Sequence, residues 1–172
     1  GTGGMALEFR KYSDSDLVAM QRIWNEVVCA GDAFPGEQPL SLQECRSYFA
    51  AQTCTTLAVL GGRVVGLYIL HPNNIGRAAH IANASYAVDS AVRGQHVGEG
   101  LVRHCLSQLA GYGFTGLQFN AVVATNAVAI KLYKKLGFVQ VGTVPGGFRL
   151  PGDIYCDIYI YFHPGLPVQQ ET

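Results

Sequence analysis

The chain has no uninterrupted run of about 18 apolar residues, so nothing in it reads as a membrane-spanning helix. It also lacks a charge of one sign: 12 basic residues balance 12 acidic ones. Neither a nucleic-acid footprint nor an attraction to an anionic membrane is therefore expected. Its five cysteines (Cys29, Cys45, Cys54, Cys105, Cys156) are odd in number and contain no CxxC pair. That argues against a disulfide framework and against a zinc site, and no metal is expected. No GxxxxGK[ST] is present, and no GxGxxG follows the first strand, which removes the nucleoside-triphosphate loop and the dinucleotide fingerprint. Charged residues make up only 14%, below the roughly 25% usual for globular domains. Hydrophobic residues reach 49% with mean hydropathy +0.18, which favours a large core over disorder.

With 172 residues the chain fits one domain, read here as 5–164, followed by a polar tail from 165 to 172. Gly1 to Gly4 ahead of Met5 read as a leader with no structural logic of its own. A cytoplasmic location is expected, since no charged start precedes an apolar run with a cleavage site.

Periodicity gives an element order. Leu7 to Tyr12 alternates as a half-buried strand, and Leu17 to Cys29 carries a helical stripe (Leu17, Met20, Ile23, Trp24, Val27, Val28) that Gly31 ends. Asp32 to Leu40 is a loop, and Ser41 with Glu44 forms a capping box that opens a helix to about Ala51. Thr55 to Leu60 and Arg63 to Leu70 flank Gly61-Gly62 as a hairpin, and His71 to Gly76 is turn-rich. Ala79 to Val88 is a strand, Val97 to Ala110 a helix, Leu117 to Val123 a strand and Asn126 to Leu136 a helix. Phe138 to Val144 and Ile154 to Phe162 are two more strands, with Pro145 to Gly152 as a Gly/Pro-rich loop between them. Hairpins need antiparallel pairs and strand-helix-strand crossovers need parallel ones, so the fold class is α/β with a mixed sheet.

Two segments carry chemistry. The first, Val88 to Gly100, follows a strand and opens a helix, where unpaired N–H groups and the positive end of the dipole favour a diphosphate. Arg93 adds charge, and Gly94 and Gly98 allow close backbone approach. The second runs Asn126-Ala-Val-Ala-Ile-Lys-Leu-Tyr133-Lys-Lys-Leu-Gly137-Phe138. Together they resemble the GCN5-related N-acetyltransferase (GNAT) family, whose motif N-x-x-A-x-x-L-Y-x-x-x-G-F is filled at every fixed position.

The resemblance implies a central sheet of about seven strands flanked by about four helices, with the fourth and fifth strands splayed. It implies acetyl-CoA as co-substrate, held at Tyr86, Val88, Arg93, Gly94, Gln95, His96, Val97, Gly98, Asn120 and Asn126. Tyr86 and Val88 would offer backbone groups to the pantetheine arm, and Tyr133 would be the acid that protonates the departing thiolate. In the frame set by Arg93, His96 stands where the family usually has glycine, so it must accept the turn's dihedral angles; Gln95-x-x-Gly98-x-Gly100 is the alternative frame.

The family often uses a glutamate near the fourth strand as base, and none is there. Asn83 is the candidate on that strand, sharing a face with Ser85 and opposite His80; an amide can orient water or substrate but cannot take a proton. Its bland role is to satisfy backbone where the strands diverge. Phe34 and Glu37 are candidates for substrate contact, and Tyr155, Asp157 and Tyr159 either line the cleft or form an edge-strand ladder. The implied acceptor is a primary or secondary amine of a small molecule, by direct attack. A protein N-terminus, a non-catalytic acyl-CoA-binding domain and a homodimer stay open.

Overall fold

A computed structural model describes residues 6–166. Residues 1–5, which include Gly1 to Gly4, and residues 167–172 of the tail expected from 165 lie outside the described residues. The elements follow the expected order: β1 (Leu7–Lys11), α1 (Leu17–Ala30), α2 (Leu42–Ala50), β2 (Cys54–Leu60), β3 (Arg63–Pro72), β4 (Ile81–Val88), α3 (Val97–Gln108), β5 (Gly116–Val123), α4 (Ala127–Lys135), β6 (Val139–Leu150) and β7 (Ile154–His163).

The strands form one sheet in the order β1-β2-β3-β4-β5-β7-β6. Every pair is antiparallel except β4 with β5, which the α3 crossover makes parallel. The β2–β3 hairpin turns on Gly61 and Gly62 at φ +58° and +77°, the left-handed values that a two-residue hairpin turn needs.

Helices cover both faces. On one, α1 buries Leu17, Met20, Ile23, Trp24 and Val28 with Cys45 and Phe49 of α2 against Leu57, Leu67 and Ile69. The Ser41 capping box closes in both directions, Glu44 N–H donating to Ser41 Oγ at 3.1 Å and Ser41 N–H to Glu44 Oε1 at 3.0 Å. On the other face, Leu101, Val102, Cys105 and Leu106 of α3 pack on Tyr68, Leu70, Ala82 and Ala84, continuous with Tyr133 of α4.

Three boundaries differ from the periodicity reading. β3 continues through Pro72, because His71 and Pro72 still pair with Asn83 and Ala82. A short 3-10 turn at Gly76–Ala78 delays β4 to Ile81. The third difference is larger: Pro145 to Leu150 belongs to β6 and is not a loop. The ladder jumps from Val144↔Ile158 to Phe148↔Cys156, so Pro145, Gly146 and Gly147 form a bulge. Gly146 takes φ +61° and donates its N–H to Asp157 Oδ1 at 3.0 Å. Proline is tolerated there because β6 is an edge strand with no ladder on its outer side.

The splay expected between the fourth and fifth strands is present. β4 and β5 pair at only three positions, Ile81↔Gly116, Ala82↔Leu117 and Asn83↔Gln118, and then part.

Candidate active site

The parting strands open a cleft of about 310 Å³ lined by Asn83, Ser85 and Tyr86 of β4, Phe119, Asn120 and Val122 of β5, Asn126 and Tyr133 at α4, and Phe34 from the loop after α1. No Asp, Glu, His, Lys or Arg is among the lining residues. The cleft is thus a neutral, amide-rich and phenol-rich space.

Backbone direction decides what β4 offers to the gap. Asp89 N–H donates to Val65 O on β3, and Ile81 O accepts from Asn73 N–H on the same side. Odd positions therefore face β3, and alternation turns the N–H and C=O of Tyr86 and Val88 toward the gap, where β4 has no partner strand. These are the backbone groups expected to meet the pantetheine arm, and they are without a partner strand. Asn83 donates its Nδ2 to Gln118 O at 2.9 Å, at the last rung before the strands part. It therefore lines the cleft and also takes the bland role of satisfying diverging backbone.

Tyr133 is buried, 5% exposed, with its hydroxyl 2.8 Å from that of Tyr86. Burial pushes both phenols above the ordinary tyrosine value, so both stay protonated at neutral pH. Aromatic rings fix Tyr133 on three sides: Phe119 at 4.7 Å between centroids, Phe138 at 5.4 Å and Tyr161 at 5.8 Å. The Tyr86 side chain was missed as a site feature. Period-two alternation puts it on the face opposite Asn83, the face α4 covers, and this was the signal available.

The loop from Arg93 to Gly98 enters α3 through a left-handed turn. Gly94 has φ +80°, and His96 caps the helix at φ +61°, ψ +24°. His96 thus adopts the glycine conformation that its frame demanded. Arg93, Gly94, Gln95 and His96 are exposed, Val97 is buried, and the first-turn amides of α3 point out of its N-terminus. Gly98 packs beside β4, where an added Cβ would lie 3.5 Å from the Tyr86 ring and 3.8 Å from Val88. The arrangement fits a diphosphate at the helix start, with the attached arm running along β4.

The remaining candidates divide. Asn126 lines the cleft and caps α4, its Oδ1 accepting from Ala129 N–H at 3.2 Å, which leaves its amide N–H groups free to donate. Asn120 also lines the cleft, but it is tied into a polar chain in which Gln118 Nε2 donates to its Oδ1 at 2.8 Å and its own Nδ2 donates to Asn73 Oδ1 at 2.6 Å. Phe34 borders the cleft and packs on Trp24 at 4.6 Å. Glu37 does not reach it. It pairs with Arg149 of β6 and borders a second hollow of about 330 Å³ behind the same loop. Tyr155, Asp157 and Tyr159 are absent from the cleft lining, and their strand is not an edge: β7 lies between β5 and β6. Among the described residues no group of three His, Cys, Asp or Glu is placed to hold a metal, and no helix is long and apolar enough to cross a membrane.

The acetyltransferase (GNAT) family model matches residues 20–138. The N-acetyltransferase aca1 of Schizosaccharomyces pombe is 34% identical over 99 residues, 57% of this chain. The chain spans about half of that relative's length, 47%, and 15% of the length of a second, the protein SPT10 of Saccharomyces cerevisiae. Among solved structures, a GCN5-related N-acetyltransferase from Kribbella flavida superposes with a TM-score of 0.86 at 36% identity, covering 92% of this chain and 98% of that one. A phosphinothricin acetyltransferase from Sinorhizobium meliloti in complex with acetyl-CoA shares the fold, with a TM-score of 0.86 at 21% identity over 94% and 89% of the two chains. The filled Asn126 to Phe138 motif, the β4/β5 gap and these matches agree: the chain belongs to the GNAT acetyltransferase family.

Proposed function

We propose that the protein transfers an acetyl group from acetyl-CoA to the amine of a small molecule, an amino acid or a simple amine, by direct attack. One observation carries the reading. The gap in the sheet brings a protonated, buried phenol and unpaired β4 backbone to a single neutral cleft, and α3 starts beside the same strand, with Gly98 packed on Tyr86 and Val88.

Acetyl-CoA, when bound, supplies an acyl group activated as a thioester. The α3 amides from Val97 onward, with Arg93 and the Gly94 turn, would hold its diphosphate, and the Tyr86 and Val88 backbone with the Asn126 amide would hold its arm. Tyr133 keeps its proton because burial disfavours tyrosinate, and its Oη would give that proton to the leaving sulfur. Asn83 and Ser85 share a face of β4 and can orient the acceptor or a water, but neither is a base. The amine therefore arrives neutral or releases its proton to water.

The uncharged lining supports a small acceptor over an acidic or strongly basic one. The same lining, with no carboxylate or imidazole, supports the second reading: an acyl-CoA-binding domain without turnover. Thiol release from acetyl-CoA across a panel of amines, amino acids and N-terminal peptides separates the readings. Binding without turnover on any acceptor favours the second, and turnover only on peptides makes the acceptor a protein N-terminus. Tyr133→Phe is expected to lower kcat by about 100-fold, the scale of a lost general acid, with CoA affinity retained. An unchanged kcat removes Tyr133 as the acid.

A further inference from the structure

Tyr86 brings a side chain to the site as well as backbone. Its ring leaves β4 on the α4 face and meets Tyr133 edge-on, with centroids 6.5 Å apart and planes at 84°. Gly98 leaves room for it on one side and Phe119 flanks it at 6.4 Å. Phe119 is itself held between Tyr133 and Phe138, at 4.7 and 5.1 Å. Both phenols are therefore fixed by packing, and among the described residues each hydroxyl has the other as its side-chain partner.

A phenol donates one proton and accepts at its oxygen. Within the pair, one hydroxyl must donate and the other accept. If Tyr133 donated to Tyr86, its proton would be engaged by the Tyr86 oxygen and not free for a ligand in the cleft. If Tyr86 donates, the Tyr133 O–H is free to aim at the cleft and its oxygen is already bonded.

We infer that Tyr86 is a positioning residue that acts through Tyr133, its hydroxyl donating to Tyr133 Oη so that the Tyr133 proton is directed at the sulfur and the oxygen left behind is held. The inference rests on the acetyl transfer proposed above. In that step Tyr133 gives its proton to sulfur as the carbon–sulfur bond breaks, and sulfur keeps the bonding pair. The Tyr133 oxygen retains the O–H pair as a tyrosinate that accepts from Tyr86. The proton lost by nitrogen as the carbon–nitrogen bond forms returns to Tyr133 through water. A buried anion held by one charge-assisted hydrogen bond costs far less than one with none.

The test compares the wild type with Tyr86→Phe, Tyr133→Phe and the double variant, with melting curves as the folding control. Tyr86→Phe is expected to lower kcat by about 10- to 100-fold, the worth of one hydrogen bond to a charged group, with KM for acetyl-CoA unchanged. In the Tyr133→Phe background the same substitution is expected to change kcat by less than about twofold, because the two residues act as one unit. A second readout needs no acetyl-CoA. Ring-labelled tyrosine spectra of the free protein should show the pH at which Tyr133 ionises shift in Tyr86→Phe, because the two hydroxyls share one hydrogen bond. A wild type that releases no thiol with any acceptor overturns the acetyl-transfer reading and this inference's catalytic part with it. An active wild type whose kcat and Tyr133 ionisation are both indifferent to Tyr86→Phe overturns this inference alone, as does an equal loss of kcat in both backgrounds.

Discussion

Asp89 follows the last residue of β4 and begins the loop proposed to hold the diphosphate, and it is only 2% exposed. Its Oδ1 accepts from Ala91 N–H at 2.9 Å, while Oδ2 accepts from Arg22 of α1 at 3.1 Å and Arg63 of β3 at 3.2 Å. One carboxylate thus ties the loop to a helix and to the sheet. In Asp89→Ala the lost cap of the 3-10 turn costs about 1 kcal/mol. The two guanidinium groups are 50% and 61% exposed, so water screens each contact to about 0.5 kcal/mol. The sum is about 2 kcal/mol, a fall in Tm of about 4–8 °C for a chain of this size. Asp89→Asn keeps an acceptor for Ala91 and should lose about half as much. The Ala91 amide, helped by the two arginines, holds the Asp89 carboxyl below the usual range. For a depressed carboxyl the contribution is full above the unfolded value of about 4 and is lost as pH falls through the lower folded value. Urea denaturation of wild type and Asp89→Ala across pH should therefore give a gap that is flat from neutral pH down to about pH 5 and closes below about pH 4. A gap under about 0.5 kcal/mol at neutral pH, or one already closing above about pH 5, refutes the reasoning.

Two further substitutions probe single features. His96 holds a left-handed conformation that costs a residue with a Cβ about 1–2 kcal/mol, while glycine costs about 0.4–1 kcal/mol more in unfolded-chain entropy. His96→Gly is therefore expected to stabilise by about 0.5–1 kcal/mol in urea denaturation, with CoA affinity little changed, since the imidazole is exposed and has no hydrogen-bond partner among the described residues. A loss of stability would mean that the imidazole makes a contact that matters. The Tyr161 hydroxyl is buried beside Tyr133 with no hydrogen-bond partner among the described residues. Tyr161→Phe removes a desolvated group and should raise stability by about 1 kcal/mol; a drop of that size would show the hydroxyl to be paired.

Much of the fold was legible because its signals are local. The α1 stripe, the Ser41 capping box and the Gly61-Gly62 turn each need only a few neighbouring residues, and each formed as expected. The motif from Asn126 to Phe138 was legible for a similar reason: its fixed spacing places a cap, a buried tyrosine and a stop on one short helix. Features that depend on distant partners were not readable. Pro145 to Gly147 looked like a loop because the acceptor that turns it into a bulge, Asp157, lies on the next strand. Glu37 looked like a cleft residue because its partner Arg149 is 112 positions away. Alternation gave the face of the Tyr86 side chain, but its reach to Tyr133 depends on the angle at which α4 crosses the sheet, which no local pattern encodes.

The place where the sheet divides has its own local cause, and Asn83 supplies it. In a parallel ladder that continued past Asn83↔Gln118, the Gln118 carbonyl would accept from the Ala84 N–H, the next β4 amide facing β5. Instead it accepts from the Asn83 side chain at 2.9 Å. The amide satisfies the last carbonyl of the ladder, so β5 can turn away without leaving that part-buried acceptor unpaired. The β5 bulge between Phe119 and Val122 then carries the strand toward β7. From Ala84 onward β4 is left with backbone groups facing a gap, the surface on which an extended arm can pair as a strand would. A valine at position 83 would suit the strand better by propensity, but it could not cap Gln118, and the gap would open at the cost of an unpaired carbonyl. The two roles read for Asn83 in the sequence, backbone satisfaction and cleft lining, are therefore linked: the first makes possible the cleft in which the second has meaning.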